Sequence, residues 1–530
     1  MLTALILTPV LGAVLIGIMP KTSQPGTYRA IALVVAIALW VWTIILGVQF
    51  NPGMPSMHFS EYLLWVNTIG LSYHLGLDGL SFPLVFLNAL LTIIAIWSTD
   101  RTIQRPQFYY ILILLLNAGV AGAFLAQDLL LFFLFYEIEL IPLYLLIAIW
   151  GGAKRGYAAT KFLIYTAISG IFVLASFLGI AWITGVSSFD YETLRSQAMP
   201  LGTQIVLLSG LLIGFGIKIP FFPFHTWLPD AHVEASTPVS VLLAGVLLKL
   251  GTYGLLRFGL GLFLDAWAYL APWLAIWAVI SALYGASCAI AQQDMKNVVA
   301  YSSIAHMAFI LLATAASTRL SVIAAVSQMV SHGLISAMLF LLVGVVAKKT
   351  GSRDVNYLKG LLNPERGLPI IGSLLIMGVM ASAGIPGMVG FIAEFLVFRG
   401  SFAIFPVQTL LCMIGTGLTA VYFLLMVNKV FFGRLPDYLA DMPRVKWSDR
   451  LPAIVLALFI LGLGLQPSWL VRWTEPQVAF LLTGQWDVKK PDASVPAIAA
   501  PPINAPQLPI SQVAPLLYRR SIITACYGQH

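Results

Sequence analysis

GIKIPFFPFHTWLPD, Gly216–Asp230, and SAGIPGMVGFIAEF, Ser382–Phe395, decide the fold. Each interrupts an apolar run long enough to cross a bilayer. Pro220 and Pro223 remove ladder hydrogen bonds in the first; Gly384, Pro386, Gly387 and Gly390 let the backbone bend in the second. Each also carries an ionisable side chain beside the break: Lys218 just before the first, Glu394 just beyond the second. Two interrupted spans in matching positions of two halves are the sequence mark of an inverted-repeat transporter.

The rest of the chain agrees. Of 530 residues, 59% are hydrophobic and only 9% charged, against about 25% charged in a soluble domain. Apolar runs close to the roughly 20 residues that span a bilayer recur along the chain. With no water to satisfy the backbone inside lipid, such runs must be helical. The expected fold is an all-α polytopic membrane protein of fourteen spans, at 2–19, 29–49, 77–98, 107–126, 128–150, 160–184, 203–222, 237–258, 267–290, 296–316, 321–347, 367–400, 404–431 and 451–470. Spans 4–8 and 9–13 then form two inverted five-helix repeats, with helices 7 and 12 broken. The expected divisions are 1–106 (three helices and a small hairpin at His58–Val66 and Thr68–His74), 107–258 and 259–431 (the repeats), 432–485 (the last span) and 486–530 (a Pro/Ala-rich tail).

Loop charges set an orientation. Lys21, Arg29, Arg101, Arg105, Lys154, Arg155 and Lys161 fall in the first three odd connections, and Lys296, Lys348, Lys349, Lys446 and others in the later ones. The even connections hold only Arg195, Arg257, Arg319 and Arg399. This bias predicts odd loops in the cytoplasm and both termini on the opposite face. The +8 formal charge is thereby topological, with no nucleic-acid partner implied. Cys288, Cys412 and Cys526 form no CxxC pair, so neither a metal nor an iron–sulfur site is expected. The N-terminus opens directly into Leu2–Met19 without a basic leader and reads as a retained helix.

Six ionisable residues lie inside apolar segments: Glu137, Lys218, Lys249, His306, His332 and Glu394. A charge at the centre of a bilayer helix costs roughly 2.5–3.5 kcal/mol on insertion scales. Six such residues of both signs, with two imidazoles that titrate near neutrality, read as a proton path. Glu137 and Glu139 are about 200° apart around a helix, so only one faces a given path. Burial disfavours a charged lysine and a nearby carboxylate favours it, which makes a Glu–Lys pair that opens and closes a switch on lysine protonation. His225, Asp230, His232 and Glu234 cluster after the first break, and they read equally as a proton-collecting entrance or as a polar turn. No phosphate loop, nucleophile elbow or HExxH is present.

FYEIELIPLYLLIAIWGG, KFLIYTAISG, HTWLPDAHVEASTPVSVLLAGVLLKLGTYGLLR, QQDMKNVVAYSSIAHM and GIPGMVGFIAEFLVF together resemble the antiporter-like subunits of respiratory complex I, of the chain 4 type. The EASTPVS wording looks like the cyanobacterial and plastid form, the NAD(P)H–quinone oxidoreductase of photosynthetic membranes. The similarity covers about residues 70–430. It implies a proton-translocating subunit of a (plasto)quinone oxidoreductase, with no cofactor of its own. Quinone, iron–sulfur clusters and NAD(P)H or ferredoxin then belong to other subunits. The implied partners are sister antiporter-like subunits, other membrane subunits, a peripheral electron-transfer arm and lipids. The family's fifth-helix glutamate falls on Glu137, paired with the seventh-helix Lys218; the eighth-helix lysine falls on Lys249 and the twelfth-helix acid on Glu394. The resemblance implies a thylakoid location with lumenal termini. The alternatives are a subunit of a cation/proton antiporter, which shares the fold, and a non-pumping scaffold.

Overall fold

The computed structural model describes residues 1–20, 24–51 and 57–483; the Pro/Ala-rich tail and Lys21 lie outside them. Eleven helices among these residues are long and apolar enough to cross a membrane, and three shorter apolar ones, Thr3–Ile18, Phe82–Ser98 and Pro369–Ser382, accompany them. The most enclosed are Thr237–Leu260, Met295–Ala316 and Arg319–Thr350, which form the core of the bundle. Helices such as Pro25–Gln49 and Pro406–Phe431 keep apolar outer faces exposed, as lipid-facing helices do. The chain is an integral, multi-pass membrane protein.

Both expected breaks are present. The Leu201–Lys218 helix stops at Lys218, and the chain resumes through a short turn at Phe224–Thr226 into Trp227–Glu234. The second break separates Pro369–Ser382 from Val389–Phe402. A side chain at Gly390 would place Cβ 1.9 Å from the Ala381 carbonyl oxygen, so the half-helices approach as closely as they do only because this residue is glycine. Further irregularities accompany them. Regular helix lapses at Glu139, between Leu129–Ile138 and Leu140–Trp150, where Pro142 lacks the N–H that would bond the Ile138 carbonyl. The Thr237–Leu260 span widens to π-helix at Leu243–Leu247, just ahead of Lys249.

The hairpin forms from His58–Val66 and Leu71–Leu77, antiparallel. Gly70 makes its turn with φ +71°, and its α-carbon sits where a Cβ would meet the Ser187 carbonyl oxygen at 2.0 Å. The hairpin ties the even connections together. Asp128 accepts from Ser72 N and Oγ (3.0 and 2.8 Å), and His74 Nδ1 lies 2.5 Å from Asp190 Oδ2. Burial alone would raise the Asp190 carboxyl, but the His74 hydrogen bond and charge, with bonds from Thr193, hold it below its ordinary value. A depressed folded value contributes stability above the unfolded carboxyl range, lost as pH falls through the folded value. Protection of the His58–Leu77 amides against exchange, relative to their intrinsic rates, is therefore expected to fall below about pH 4, and Asp190→Asn should remove that dependence. Equal protection in both across this range would show that the pair does not hold the hairpin.

Three sequence expectations need correction. The last span runs Trp447–Leu465, and a separate helix, Ser468–Thr483, follows it. That helix carries Arg472, Glu475 and Pro476 and lacks the uniform apolarity of a span; Arg195 Nη2 holds its Phe480 and Leu481 carbonyls at 2.9 Å. Arg257 is not a loop charge: it is fully buried and bonded to Asp78, also buried. Lys296, counted with the odd-loop charges, is buried as well. Removing one partner of a buried ion pair strands the other charge, at about 3–5 kcal/mol. Asp78→Asn is thus expected to lower the thermal stability of the protein markedly; an unchanged unfolding temperature would mean that Arg257 finds another partner.

Candidate functional site: a buried row of ionisable side chains

The row begins at the lapse in the fifth span. Glu139 is completely buried, and its carboxylate accepts a hydrogen bond from Lys218 Nζ, also completely buried. The ammonium lies over the Tyr136 ring, 4.4 Å from its centroid. Tyr136 is fixed in turn by Ser169 (2.8 Å), whose hydroxyl donates to the Gly214 carbonyl. The partner of Lys218 is therefore Glu139, not the expected Glu137. Glu137 is half-buried and turned to the Arg155–Thr184 helix, where a Cβ on Gly170 would stand 2.2 Å from its Oε1. It remains within electrostatic reach of Lys218.

The end of the Leu201–Lys218 helix rests on the next turn of the row. A Cβ on Gly251 would lie 2.6 Å from Ile219 Cγ1 and 3.3 Å from Lys218 Cβ, so no larger residue lets the two lysine-bearing helices approach this closely. Lys249 is wholly buried and has no carboxylate partner among the described residues. Its Nζ donates to the Ala244 carbonyl, 2.5 Å away in the π-helical stretch, and meets His332 Nδ1 at 2.7 Å. Widening the helix frees carbonyls that an ordinary α-helix would consume, and here one is spent on the lysine.

From His332 the row continues to His306, 5.9 Å between ring centroids. A cavity of about 10 Å³ beside them, lined also by Ser302, Gln328, Ser331 and Ser336, is on the scale of one water molecule. His306 then spans the second break. Its Nε2 lies 3.0 Å from Ser382 Oγ, at the end of one half-helix, and its Nδ1 3.1 Å from Glu394 Oε1, in the other. Lys249, His332, His306 and Glu394 thus form one contiguous series inside the bundle.

The four residues after the first break do not form one cluster. Asp230 pairs with Lys161 at 2.7 Å, and Glu234 accepts from Lys154 N at 2.7 Å, both towards the rim. His225 is buried against Phe222 and Tyr284. His232 is fully buried, stacked on Phe340 at 4.3 Å, and neither ring nitrogen has a partner among the described residues. Its carbonyl, with those of Ala235 and the Ser240 hydroxyl, receives Lys296 Nζ. The sequence reading weighed Glu139 but placed Glu137 in the path, and it counted Lys296 as a loop charge. Among the described residues no group of three or more His, Cys, Asp or Glu could hold a metal ion.

Residues 126–419 match a family model described as NADH:quinone oxidoreductase/Mrp antiporter, transmembrane. The chain is 42% identical over 97% of its length to NAD(P)H-quinone oxidoreductase chain 4 1 of Synechococcus sp. JA-3-3Ab, covering 96% of that protein, and 41% identical over 96% to its namesake from Nostoc sp. PCC 7120, covering 94%. It therefore belongs to the NAD(P)H-quinone oxidoreductase chain 4 family. Among solved structures, respiratory complex I from Thermus thermophilus contains a chain that matches with a TM-score of 0.81 at 26% identity, over 91% of this chain and all of that one. The Mrp complex from Dietzia sp. DQ12-45-1b matches with a TM-score of 0.82 over 91% of this chain and 97% of that one, but at 22% identity, which carries the fold alone.

Proposed function

We propose that this chain is a proton-translocating membrane subunit of a quinone reductase fed by NAD(P)H or ferredoxin, and that the buried row is its proton path. The observation that carries this reading is the series from Lys249 through His332 and His306 to Glu394, in direct contact at both ends and with a cavity the size of one water beside the two rings. Every member carries a side chain able to bind and release a proton, and no redox group is needed among them. Family membership supplies the context: quinone, iron–sulfur clusters and the electron donor belong to partner subunits, together with sister membrane subunits and a peripheral arm. The cyanobacterial relatives support a thylakoid location, and the loop charges support lumenal termini.

The Glu139–Lys218 pair is the switch in this scheme. Two charges taken out of water hold each other in place only while both are present. A disturbance arriving from a neighbouring subunit at half-buried Glu137, or one that draws Glu139 away, leaves the Lys218 ammonium without a counter-charge. The proton then moves, through water, towards Lys249 and along the histidines. Glu394 receives it and releases it on the side of the termini. Rebinding of Glu139 to a reprotonated Lys218 resets the pair.

The test is Lys249→Met in the assembled complex. Its removal leaves His332 Nδ1 without a bond but strands no charge, so assembly should survive. Proton translocation per quinol formed, followed with a pH-sensitive dye in membrane vesicles, is expected to fall by about tenfold or more. Wild-type pumping in this variant would remove Lys249 from the path. A second, local variant addresses Glu137. Gly170→Ala pushes a methyl group into its carboxylate, and a loss of coupling there, with Lys218 and Glu139 intact, would place Glu137 upstream of the pair.

A further inference from the structure

A wide cavity lies outside the proton row. It is a vestibule of about 620 Å³ on the face of the odd connections, walled by the starts and ends of seven helices. Five cations line it, Arg29, Arg101, Lys348, Lys349 and Lys446, against two carboxylates, Asp100 and Asp449. Both carboxylates are already taken: Lys348 meets Asp100 at 2.7 Å and Lys349 meets Asp449 at 3.0 Å. The Lys348 hydrogen bond holds the Asp100 carboxyl down at about 2, so it stays an anion at any working pH and the count does not change. Arg29, Arg101 and Lys446 are left without a carboxylate partner among the described residues. Arg29 spends Nη2 on the Trp97 carbonyl at 2.5 Å, while its Nε is buried with no partner.

Other walls of the vestibule add donors and dipoles of the same sign. The Thr237–Leu260 and Trp447–Leu465 spans both begin there, and helix N-termini favour anions. The Tyr109 and Ser236 hydroxyls line the same space, with Trp97 and Trp150 at its edge. Indoles settle at the level of lipid headgroups, and basic pockets between membrane helices suit anionic ones. Positive loop charge chosen only for topology requires neither a cavity nor donors converging on it.

We propose that this vestibule is a binding site for a tetrahedral oxyanion, phosphate or sulfonate, carried by the headgroup of an anionic membrane lipid. The site is lined by residues of this chain and uses none of the proton row. Its readout is bound lipid, so it stands or falls independently of the pumping scheme.

The experiment purifies the full chain in its complex, exchanges it into mixed nanodiscs of phosphatidylglycerol and a neutral galactolipid, and measures retained lipid by mass spectrometry. Wild type is expected to keep phosphatidylglycerol selectively. Arg29→Gln with Arg101→Gln should lose roughly thirtyfold in that selectivity, at the attraction expected for two surface cations. Asp100→Asn, which releases Lys348, should raise it. Excess inorganic phosphate that fails to displace the lipid assigns the site to the headgroup; displacement assigns it to a free oxyanion at the same donors and overturns the lipid as its source. If the double arginine variant does not accumulate, Lys446→Gln and Asp100→Asn change one charge each and must move retention in opposite directions. Equal retention in wild type and in all of these variants would overturn the site and leave the cations as topological charge only.

Discussion

Lys218→Met is expected to abolish most proton translocation and, unlike Lys249→Met, to destabilise the protein. The difference follows from what each lysine touches. Lys249 is held by a carbonyl and an imidazole, both neutral. Lys218 is held by a carboxylate that is itself fully buried. Methionine at 218 keeps the length of the side chain but strands Glu139, at a cost of about 3–5 kcal/mol if it remains ionised. Glu139 can escape that cost by taking up a proton, so the loss should shrink in acid. The second substitution separates the two effects. Lys218→Met with Glu139→Gln removes both charges, and it should recover thermal stability while pumping stays down by about tenfold or more. Recovery of pumping in the double variant would mean that Lys218 serves only to neutralise Glu139. Loss of stability equal to that of the single variant would mean that Glu139 is not its partner in the working complex.

The choice between Glu137 and Glu139 marks where sequence reading ran out. Their separation around the helix was legible, and the structure does turn them to different neighbours. Which one meets Lys218 was not. Phe132, Tyr136, Glu139, Leu143 and Leu146 form the buried stripe of this segment, whereas Leu134, Ile138 and Ile141 face outwards. In a soluble helix polar residues would have marked the outer face. In a membrane helix both faces are apolar, and the stripe leaves no trace in composition. The resemblance to a known family favoured Glu137, which the structure leaves half-buried beside Gly170 instead.

Lys296 and Arg257 escaped notice for a related reason. Both fall within a turn or two of a span end, where counting charges per connection treats them as solvated. The structure buries Lys296 on the carbonyls of His232 and Ala235, and Arg257 on Asp78, 179 positions away in sequence. Nothing local announces such a partner. The breaks, by contrast, were legible because proline and glycine act on the backbone itself, whatever surrounds them. So were the histidines: two in consecutive spans had only to face each other, and the tight packing of Met295–Ala316 on Arg319–Thr350 brings them together.

Glu394 offers the sharpest test of where the path ends. Glu394→Gln keeps the shape that His306 Nδ1 meets at 3.1 Å but cannot take up a proton, so pumping should fall by about tenfold or more while assembly survives. Glu394→Lys introduces a base of opposite charge, which would repel a protonated His306 but donates well to a neutral imidazole. The protein already contains that arrangement one step earlier, in Lys249 Nζ against His332 Nδ1 at 2.7 Å. A lysine at 394 can therefore repeat a contact the bundle tolerates and still exchange a proton with the adjacent ring. The expected order of pumping is wild type, then Lys, then Gln. Wild-type pumping by the Gln variant would reduce Glu394 to a clamp that holds the two half-helices through His306 and Ser382. If Gln and Lys both fail to assemble, Ser382→Ala cuts the other half of that clamp without touching a titratable group, and a matching failure there would make the His306 contacts structural. Normal assembly with near-normal pumping in Ser382→Ala would instead leave proton transfer as the task of Glu394.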